Sequence, residues 1–405
     1  MKPELCPPLV SCSAPDLDVA GLQALVRRHA AALVLFSARK LTWSCLRLQH
    51  HLPRVRLLFA VRPLPQAEVL AALDGVGACF VVASADELAR LAARAVAPDR
   101  IFCAGPGPAA ADVARVRAYG VRTFVVGSLA ELGPLEACRE SCEVVLRLAF
   151  DDFDPADEAA AGPGETAETA GAEAALALLA QVQAAGFRVA GLSLAGGAPA
   201  GGPAGFVGAI AFAADLFAQA RQVLGLRLRV LHLGGGFPDF DGAARQSRAD
   251  FCAPLTAALD RHFPAPAGRG GAGRAGAGGV EIYAEPGQSV VGAGLDVVTQ
   301  VVGKAERAGR LWYYLHEGVC RAFGGGLLEP RRAEFEVLAA RRQRPARLSV
   351  FAGPTREAPH VLRRDVLVPE LEPGDLLRLR HLGAFTAAGT PDFNPARPPV
   401  FVPVG

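Results

Sequence analysis

The sequence predicts an α/β protein in which a (β/α)8 barrel is followed by an antiparallel β domain. Up to residue 293, short apolar runs alternate with amphipathic stretches of helical length, which is typical of βαβ units and a parallel sheet. From residue 294 onward, strand-like runs follow one another across turns, which is typical of antiparallel β structure. The predicted units are an N-terminal segment 1–37 that joins the β domain, a barrel 38–293 and a β domain 294–405.

The elements of the barrel follow in order along the chain. Eight runs predict strands: Arg56–Val61, Cys79–Ala83, Arg100–Cys103, Arg122–Val126, Glu143–Ala149, Arg188–Leu194, Arg229–Leu233 and Glu281–Ala284. The stretches between the first of them predict helices: Gln66–Asp74, Ala85–Ala95 and Ala110–Tyr119. Eight parallel strands separated by helices close most economically into a barrel.

The β domain is predicted from five shorter runs: Leu295–Val302, Leu311–Leu315, Arg347–Phe351, Leu376–Arg380 and Pro399–Val402. Two stretches predict loops, Gly162–Gly171 and Pro264–Gly279. The second is rich in Gly and Ala, and we expect 263–279 to be a disordered insertion.

Composition excludes several classes of function. The 42 basic and 40 acidic residues leave a net charge of +2, which gives no electrostatic case for nucleic acid or an anionic membrane. The nine cysteines show no paired CxxC spacing, so no metal site is expected. The N-terminus lacks the pattern of a signal peptide and no long uncharged apolar run is present, so we expect no membrane span and a cytoplasmic location.

Two short strings end predicted strands with residues suited to ligand binding. Leu231–Phe237, LHLGGGF, places three glycines after a strand, where backbone N–H groups can approach a phosphate or where a tight turn simply needs Gly. Glu285–Gln288, EPGQ, places a carboxylate at the C-terminal end of a strand, where barrel sites lie. A surface Glu in a turn would give the same string.

Taken together and in order, several strings resemble the ornithine decarboxylase and antizyme inhibitor family. The resemblance runs from near Ala20 to the C-terminus through LPRVRLLFAVR, LHLGGGFP, IYAEPGQ, WYYLHEGV, GPT and LEPGDLLRLRHLGAFT. It implies a pyridoxal phosphate (PLP) barrel of the alanine racemase-like type joined to a β domain, with an active site at a homodimer interface. It also implies ornithine decarboxylase activity, except in the antizyme inhibitors, which are inactive relatives.

The resemblance places Arg62 where the family has the lysine that forms the Schiff base with PLP. A guanidinium is not deprotonated in proteins and is no nucleophile towards an aldehyde. The other candidates are only Lys2, Lys40 and Lys304, and none is expected at the barrel mouth. The chain is therefore interpreted as a catalytically degenerate member for which no cofactor is expected, although the family uses PLP.

The resemblance also implies that other cofactor contacts have changed. Ala195 stands at the histidine that stacks on the ring, Gln288 at the arginine that binds the phosphate, Ala198 at a phosphate-loop serine, Val81 at an aspartate and Phe385 at a tyrosine. On the substrate side, Arg356 and Glu357 replace a cysteine–aspartate pair. Glu317 stands at the aspartate that binds the distal amine of the substrate.

Some positions of the cofactor site are kept. Glu285 matches the carboxylate that pairs with the pyridine nitrogen, and the glycines Gly234, Gly235 and Gly236 match the phosphate loop. Glu87 and Arg147 also match the family. We interpret these residues as structural survivors, with Glu87 and Arg147 expected to form a buried pair.

Partner binding is a further implication of the resemblance. The antizyme-binding segment of the family matches residues 108–133, where Pro108 and Ala114 replace lysines and Arg115, Arg117 and Arg122 are candidate substitutes. Ornithine decarboxylase family subunits are a second candidate partner.

The oligomeric state and the function are expected to depart from those of the enzymes. A cross-subunit lysine–aspartate bridge of the family is lost, because His360 replaces the aspartate and GPGETAETAG contains no lysine, so a monomer is favoured over a homodimer. The favoured function is a non-catalytic regulator of polyamine biosynthesis. An active ornithine or amino-acid decarboxylase and an eroded paralogue without a partner are the alternatives.

Overall fold

The computed structural model confirms the predicted fold class: a closed parallel barrel of eight strands and a separate sheet domain. The residues that the structure describes are 18–105, 109–148, 171–194, 202–240, 247–265, 279–317, 334–338, 344–354, 361–380 and 399–404.

The barrel is formed by strands β2 to β9, each paired in parallel with the next, and it closes where β9 pairs with β2. The strands are β2 Val55–Ala60, β3 Cys79–Val82, β4 Ile101–Ala104, β5 Thr123–Val126, β6 Glu143–Leu148, β7 Arg188–Leu194, β8 Val230–His232 and β9 Glu281–Ala284. The helices around and before them are Ala38–His51, Ala67–Gly75, Ala85–Ala92, Ala110–Tyr119, Ala172–Ala184, Pro203–Leu224, Arg248–His262 and Gln288–Val291.

Alternation along the strands separates two cores. Outward side chains of the barrel strands pack against the helices, in a core that also extends into the sheet domain. Inward side chains fill the barrel as a second cluster that takes at least one residue from each strand. Its members are Leu58, Cys79, Val81, Phe102, Ala104, Val125, Val145, Ala190, Val230 and Tyr283.

A bulge in β7 adjusts this alternation. The register with β6 shifts by one residue between the pairs Val144↔Val189 and Val145↔Gly191. Gly191 is needed there, because a Cβ at this position would lie 1.9 Å from the carbonyl oxygen of Val230 on the neighbouring strand. Beyond the bulge, Ser193 is aligned with Arg147 on β6 and with His232 on β8.

The sheet domain is mixed: among its described strands, five pairs are antiparallel, as predicted, and two are parallel. Its strands are β1 Leu33–Ser37, β10 Leu295–Arg307, β11 Arg310–Leu315, β12 Glu334–Val337, β13 Ala346–Ala352, β14 Val361–Pro369, β15 Leu376–Arg380 and β16 Val400–Val404. β10 and β11 are joined by a two-residue turn and pair antiparallel, whereas β1 with β16 and β11 with β13 pair parallel. Strands linked through long stretches of chain are free to pair in parallel, which a tight turn does not allow.

The prediction of a disordered insertion over residues 263–279 was wrong at its N-terminal end. The Phe263 side chain is 6% exposed, and its ring lies 5.2 Å from that of Phe217. Phe263 therefore ends the helix Arg248–His262 as part of the core. Residues 266–278 lie outside the described chain.

Within the described residues, one helix, Pro203–Leu224, is long and apolar enough to cross a membrane by length and composition alone, whereas the sequence predicted no membrane span. This helix carries Asp215 and packs one side into the outer core, between the helices and the barrel strands. Its buried residues recur at helical spacing: Phe206, Ala209, Ile210, Ala213, Leu216 and Ala220. The pattern is that of a core helix in the barrel wall.

Candidate functional site

Four polar side chains form a row at the C-terminal ends of consecutive barrel strands, and we call them the polar row. Arg147 on β6, Ser193 on β7, His232 on β8 and Glu285 just after β9 lie two or three residues beyond members of the inner core. The strand register aligns Arg147 with Ser193 and Ser193 with His232. The C-terminal end of a β/α barrel is where functional sites of this fold lie, so the polar row marks the candidate site.

Direct contacts join three members of the polar row. Ser193 Oγ lies 2.7 Å from His232 Nδ1, and His232 Nε2 lies 3.2 Å from Glu285 Oε1. The second contact is close, but the ring nitrogen does not meet the oxygen in good hydrogen-bond alignment. Ser193 and His232 are buried, whereas the Glu285 side chain keeps 25% of its surface exposed.

Burial and the nearby charge of Arg147 set the protonation of His232. Desolvation, with repulsion from Arg147, lowers the pKa of His232 to about 3, so its imidazole is neutral at physiological pH. A neutral imidazole has one N–H donor and one acceptor nitrogen. The contact with Ser193 is a hydrogen bond in either tautomer: the hydroxyl donates when Nε2 carries the proton, and the ring donates when Nδ1 carries it.

Arg62 lies at the barrel mouth two residues after β2, and Glu87 faces it from the first turn of the helix Ala85–Ala92. Arg62 Nε is 3.2 Å from Glu87 Oε1, and Glu87 Oε2 accepts a hydrogen bond of 2.8 Å from the Ala83 backbone N–H. The expected Glu87–Arg147 pair was wrong: within the described chain, Glu87 pairs with Arg62. The reason is position, since Glu87 follows β3, which pairs with β2, whereas Arg147 lies three strands away on β6.

The glycine string forms a tight turn between β8 and the following chain. Gly234 and Gly236 have φ of 76° and 83°, in the left-handed region that favours glycine. The Glu285 N–H donates to the Gly234 carbonyl at 2.8 Å, and a Cβ on Gly235 would lie 3.2 Å from the Glu285 carbonyl oxygen. Gly234 and Gly236 are thus favoured by their backbone conformation and Gly235 by this close approach to the end of β9, whether or not the turn also faces a phosphate.

The remaining predicted positions are spread more widely. Val81 is buried in the inner core, Gln288 is exposed at the start of the helix Gln288–Val291, and Glu317 is fully buried after β11 of the sheet domain. The structure does not describe the positions Pro108, Ala195, Ala198, Arg356, Glu357, His360 and Phe385. In the described chain, no group of three or more His, Cys, Asp or Glu side chains is suited to hold a metal.

The lysines decide how well these residues fit PLP. Lys304 lies on β10 of the sheet domain, with its Nζ in contact with Glu370 and at 2.9 Å from Glu372. Lys40 lies in the helix Ala38–His51, which precedes the barrel strands, and Lys2 is outside the described chain. The described strand ends therefore offer two guanidinium groups, a hydroxyl, an imidazole and carboxylates but no amine. This donor set does not fit a cofactor held through a lysine.

The segment predicted to bind antizyme forms the helix Ala110–Tyr119 and β5. Arg115 and Arg122 are exposed. Arg117 is half-buried, and its guanidinium donates to the Val121 carbonyl at 2.7 Å. Arg117 therefore holds the end of its own helix, which makes it a weaker candidate for partner contact than the other two.

Sequence reasoning missed Ser193 and His232. The usable signal was the string LHL, in which a polar His stands between two apolar residues on a strand that ends at the glycines. Alternation places His232 on the inner face, on the same side as Val230. Its contact with Ser193 depends on the β7 bulge, which the sequence did not reveal.

Barrel and sheet domain together define the architecture of a PLP-dependent decarboxylase, and comparison with known proteins supports this class. Residues 38–292 match the family described as "Pyridoxal-dependent decarboxylase, pyridoxal binding domain", and 293–383 match "Pyridoxal-dependent decarboxylase, C-terminal sheet domain". The chain belongs to this PLP-dependent decarboxylase family.

Three similar proteins illustrate the range of the family. The lysine/ornithine decarboxylase of Selenomonas ruminantium is 28% identical over 92% of this chain and 89% of its own length. The antizyme inhibitor 2 of Mus musculus is 28% identical over 91% of this chain and 76% of its own. The structure of lysine/ornithine decarboxylase from Vibrio vulnificus with putrescine is 28% identical, with a TM-score of 0.80 and coverage of 96% and 98%.

Proposed function

We propose that this chain is a non-catalytic member of the PLP-dependent decarboxylase family that regulates polyamine biosynthesis by binding antizyme. The loss of catalysis is proposed because the cation after β2 at the barrel mouth is Arg62, which pairs with Glu87 at 3.2 Å. Among the described residues, neither Lys40 nor Lys304 lies on a barrel strand. Without an amine there, the covalent step on which the decarboxylation chemistry depends has no nucleophile.

Antizyme is proposed as partner on two grounds. The relatives of this chain include an antizyme inhibitor, similar over most of both chains. The segment that corresponds to the antizyme-binding surface presents Arg115 and Arg122 to solvent. Each interface cation lost at Pro108 and Ala114 would weaken binding by about 1–3 kcal/mol, or about ten- to a hundredfold in affinity, unless these arginines replace it.

A monomeric state would favour this role. The cross-subunit lysine–aspartate bridge that the resemblance implies is lost here, and a monomer leaves open the face that a homodimer covers. A protein that is already monomeric need not dissociate before it binds antizyme, so it binds with its full intrinsic affinity. We therefore propose a monomer that competes with ornithine decarboxylase for antizyme, with weaker binding than an antizyme inhibitor that keeps both lysines.

A competition experiment tests this proposal. The protein is titrated into a preformed complex of antizyme and ornithine decarboxylase, and the recovered decarboxylase activity is measured. Recovery is expected, and it should be reduced at least tenfold in potency by Arg115→Glu combined with Arg122→Glu. Arg221→Glu is the matched control, because Arg221 is exposed on the helix that follows β7, whereas Arg115 lies on the helix that follows β4.

The outcomes separate the alternatives. Absence of recovery at tens of micromolar protein would refute the antizyme role and favour an eroded paralogue. An active decarboxylase is the second candidate, favoured by the similarity to lysine/ornithine decarboxylases and by the Glu285 carboxylate kept at the barrel mouth. Release of CO2 from ornithine or lysine by the purified protein would decide for that candidate.

A further inference from the structure

The solvent-facing side of the sheet domain carries a tryptophan that is flanked by two arginines. On β11, Leu311 and Tyr313 point into the core, so Trp312 lies on the opposite side of the sheet. The guanidinium carbon of Arg307 lies 5.4 Å from the centroid of the Trp312 ring, and that of Arg364 lies 5.7 Å from it. Arg307 approaches from β10, and Arg364 approaches from β14 across β13, so they come from the two sides of β11.

Both arginines of this group are exposed and can offer their charge to a partner. Within the described residues neither has an ion pair, since the acidic residue next to each in sequence pairs elsewhere. Asp365 lies 2.9 Å from Arg310, and Glu306 lies 3.3 Å from Arg347. A guanidinium that is held over an aromatic ring still presents its N–H edge, which can bind a carboxylate through two hydrogen bonds.

An exposed apolar pair lies beside the tryptophan on the same side of the sheet. Leu348 on β13 and Leu367 on β14 are opposite each other in the strand register, and they are 42% and 69% exposed. Val350 is the β13 neighbour of Trp312, and Leu348 precedes it by two residues, so the leucine pair lies about 7 Å further along this side. Neighbouring exposed leucines form a contiguous apolar patch, which marks a contact site more often than an isolated exposed leucine does.

The edge of the sheet is a poorer contact site than this side. β14 is the last strand of the sheet in the described chain, so its edge could in principle accept a further strand. Asp365, however, has φ of 59° where the register with β13 shifts, and the strand ends at Pro369. A bulge and a proline interrupt the row of backbone groups that strand addition needs. A partner is therefore expected to contact the side chains rather than the edge.

We propose that Trp312, Arg307, Arg364, Leu348 and Leu367 form a docking surface, the tryptophan patch, for an acidic peptide segment of a partner protein. Carboxylates of the segment bind the two guanidinium groups, which the ring holds in place before binding. An apolar side chain of the segment covers the leucine pair. The tryptophan patch lies on the sheet domain, outside the segment 108–133, so this inference goes beyond the proposed function and does not rest on it.

An acidic peptide fits these features better than an anionic membrane does. The 40 acidic residues of the chain nearly balance its 42 basic ones, so the protein as a whole has little attraction for a negatively charged surface. Two guanidinium groups placed around one ring suit carboxylates at defined positions, whereas lipid headgroups present diffuse charge.

Fluorescence polarisation with the full-length protein and a labelled nine-residue peptide, one leucine between two runs of four glutamates, tests the proposal. Saturable binding is expected, and Arg307→Gln combined with Arg364→Gln should weaken it by about tenfold or more. Arg221→Gln combined with Arg227→Gln is the matched control, because both arginines are exposed in the barrel domain and the change in net charge is the same. This control should bind the peptide as the wild type does.

Variants of the apolar residues distinguish the tryptophan patch from a simple attraction between charges. Trp312→Leu removes the ring that positions the guanidinium groups, and Leu367→Ser removes part of the apolar contact. Each should weaken binding by about three- to tenfold, whereas Trp312→Phe keeps an aromatic ring and should retain most of the affinity. If Trp312→Leu does not fold, the substitutions at the exposed arginines and at Leu367 still test the proposal.

Two results would overturn the proposal. The first is no saturable binding of the peptide by the wild type at millimolar concentration, or equal binding by the double arginine variant. The second is sedimentation with phosphatidylserine vesicles that depends on the same two arginines, without peptide binding, which would favour a membrane instead. The measurements use neither PLP nor antizyme, so failure here is distinct from failure of the proposed regulatory function.

Discussion

Arg62→Lys places an amine at the barrel mouth, and the structure predicts that it changes the stability of the protein little. The Arg62 side chain is 62% exposed, and within the described residues its guanidinium forms an ion pair with Glu87 alone. An exposed ion pair contributes about 0.2–1 kcal/mol. Lysine can keep part of that interaction, so the free energy of unfolding should change by less than about 1 kcal/mol.

The same contact predicts that the new amine will not form a Schiff base efficiently. A lysine beside the Glu87 carboxylate is favoured in its ammonium form, whereas only the neutral amine attacks an aldehyde. Ala195 cannot stack on the cofactor ring as the family's histidine does, and Gln288 lacks the charge of the arginine that binds the phosphate. Both the ring and the phosphate of PLP would therefore be poorly held. We therefore expect no stable internal aldimine and no decarboxylation in Arg62→Lys.

The assay combines urea denaturation with an absorbance titration by PLP, and Arg62→Gln serves as control because it lacks both charge and amine. Both variants should unfold at urea concentrations close to that of the wild type. A saturable aldimine band in Arg62→Lys, absent from Arg62→Gln and accompanied by CO2 release from ornithine, would refute the reasoning. It would show that one substitution separates this chain from an active enzyme.

Three further predictions concern packing and assembly. Asp296→Ala should lower the free energy of unfolding by about 3–5 kcal/mol in urea denaturation, because it removes the carboxylate that contacts the buried Arg378 guanidinium; a change below about 1 kcal/mol would contradict this. Gly191→Ala should prevent normal folding, since its Cβ would lie 1.9 Å from the Val230 carbonyl oxygen. Gly208→Ala is the control, because its Cβ would meet nothing within 4 Å; in thermal unfolding it should be neutral or stabilising by up to about 1 kcal/mol. Sedimentation equilibrium at micromolar concentration should give a mass near 42.0 kDa, and a stable dimer would contradict the expected monomer.

The barrel was predictable because its information is local. Each strand is a short apolar run bounded by turn residues, and most predicted bounds agree with the structure to within a residue, as for Cys79–Val82 and Glu281–Ala284. The sheet domain was less predictable. β14, Val361–Pro369, carries Arg363, Arg364 and Asp365 in its centre, which hides its alternation, and the parallel pairing of β11 with β13 depends on contacts distant in sequence.

In the candidate site, too, some residues could be placed from the sequence and some contacts could not. Arg62 and Glu285 could be placed from the sequence, because each follows a predicted strand and the strand ends meet at one face of the barrel. The pairing of Glu87 with Arg62 could not, because it depends on how the chain after β2 and the chain after β3 place these two side chains in space. The contact of Ser193 with His232 depends on the bulge at Gly191, a register shift that leaves only a single glycine as its trace in the sequence.

Release of CO2 from ornithine, with the purified wild-type protein saturated with PLP, tests the central claim most directly. The barrel mouth offers guanidinium groups, an imidazole and carboxylates but no lysine amine among its described residues. The account predicts release that does not exceed a protein-free control with the same PLP. Release in proportion to protein concentration, abolished by prior borohydride reduction in the presence of PLP, would contradict it.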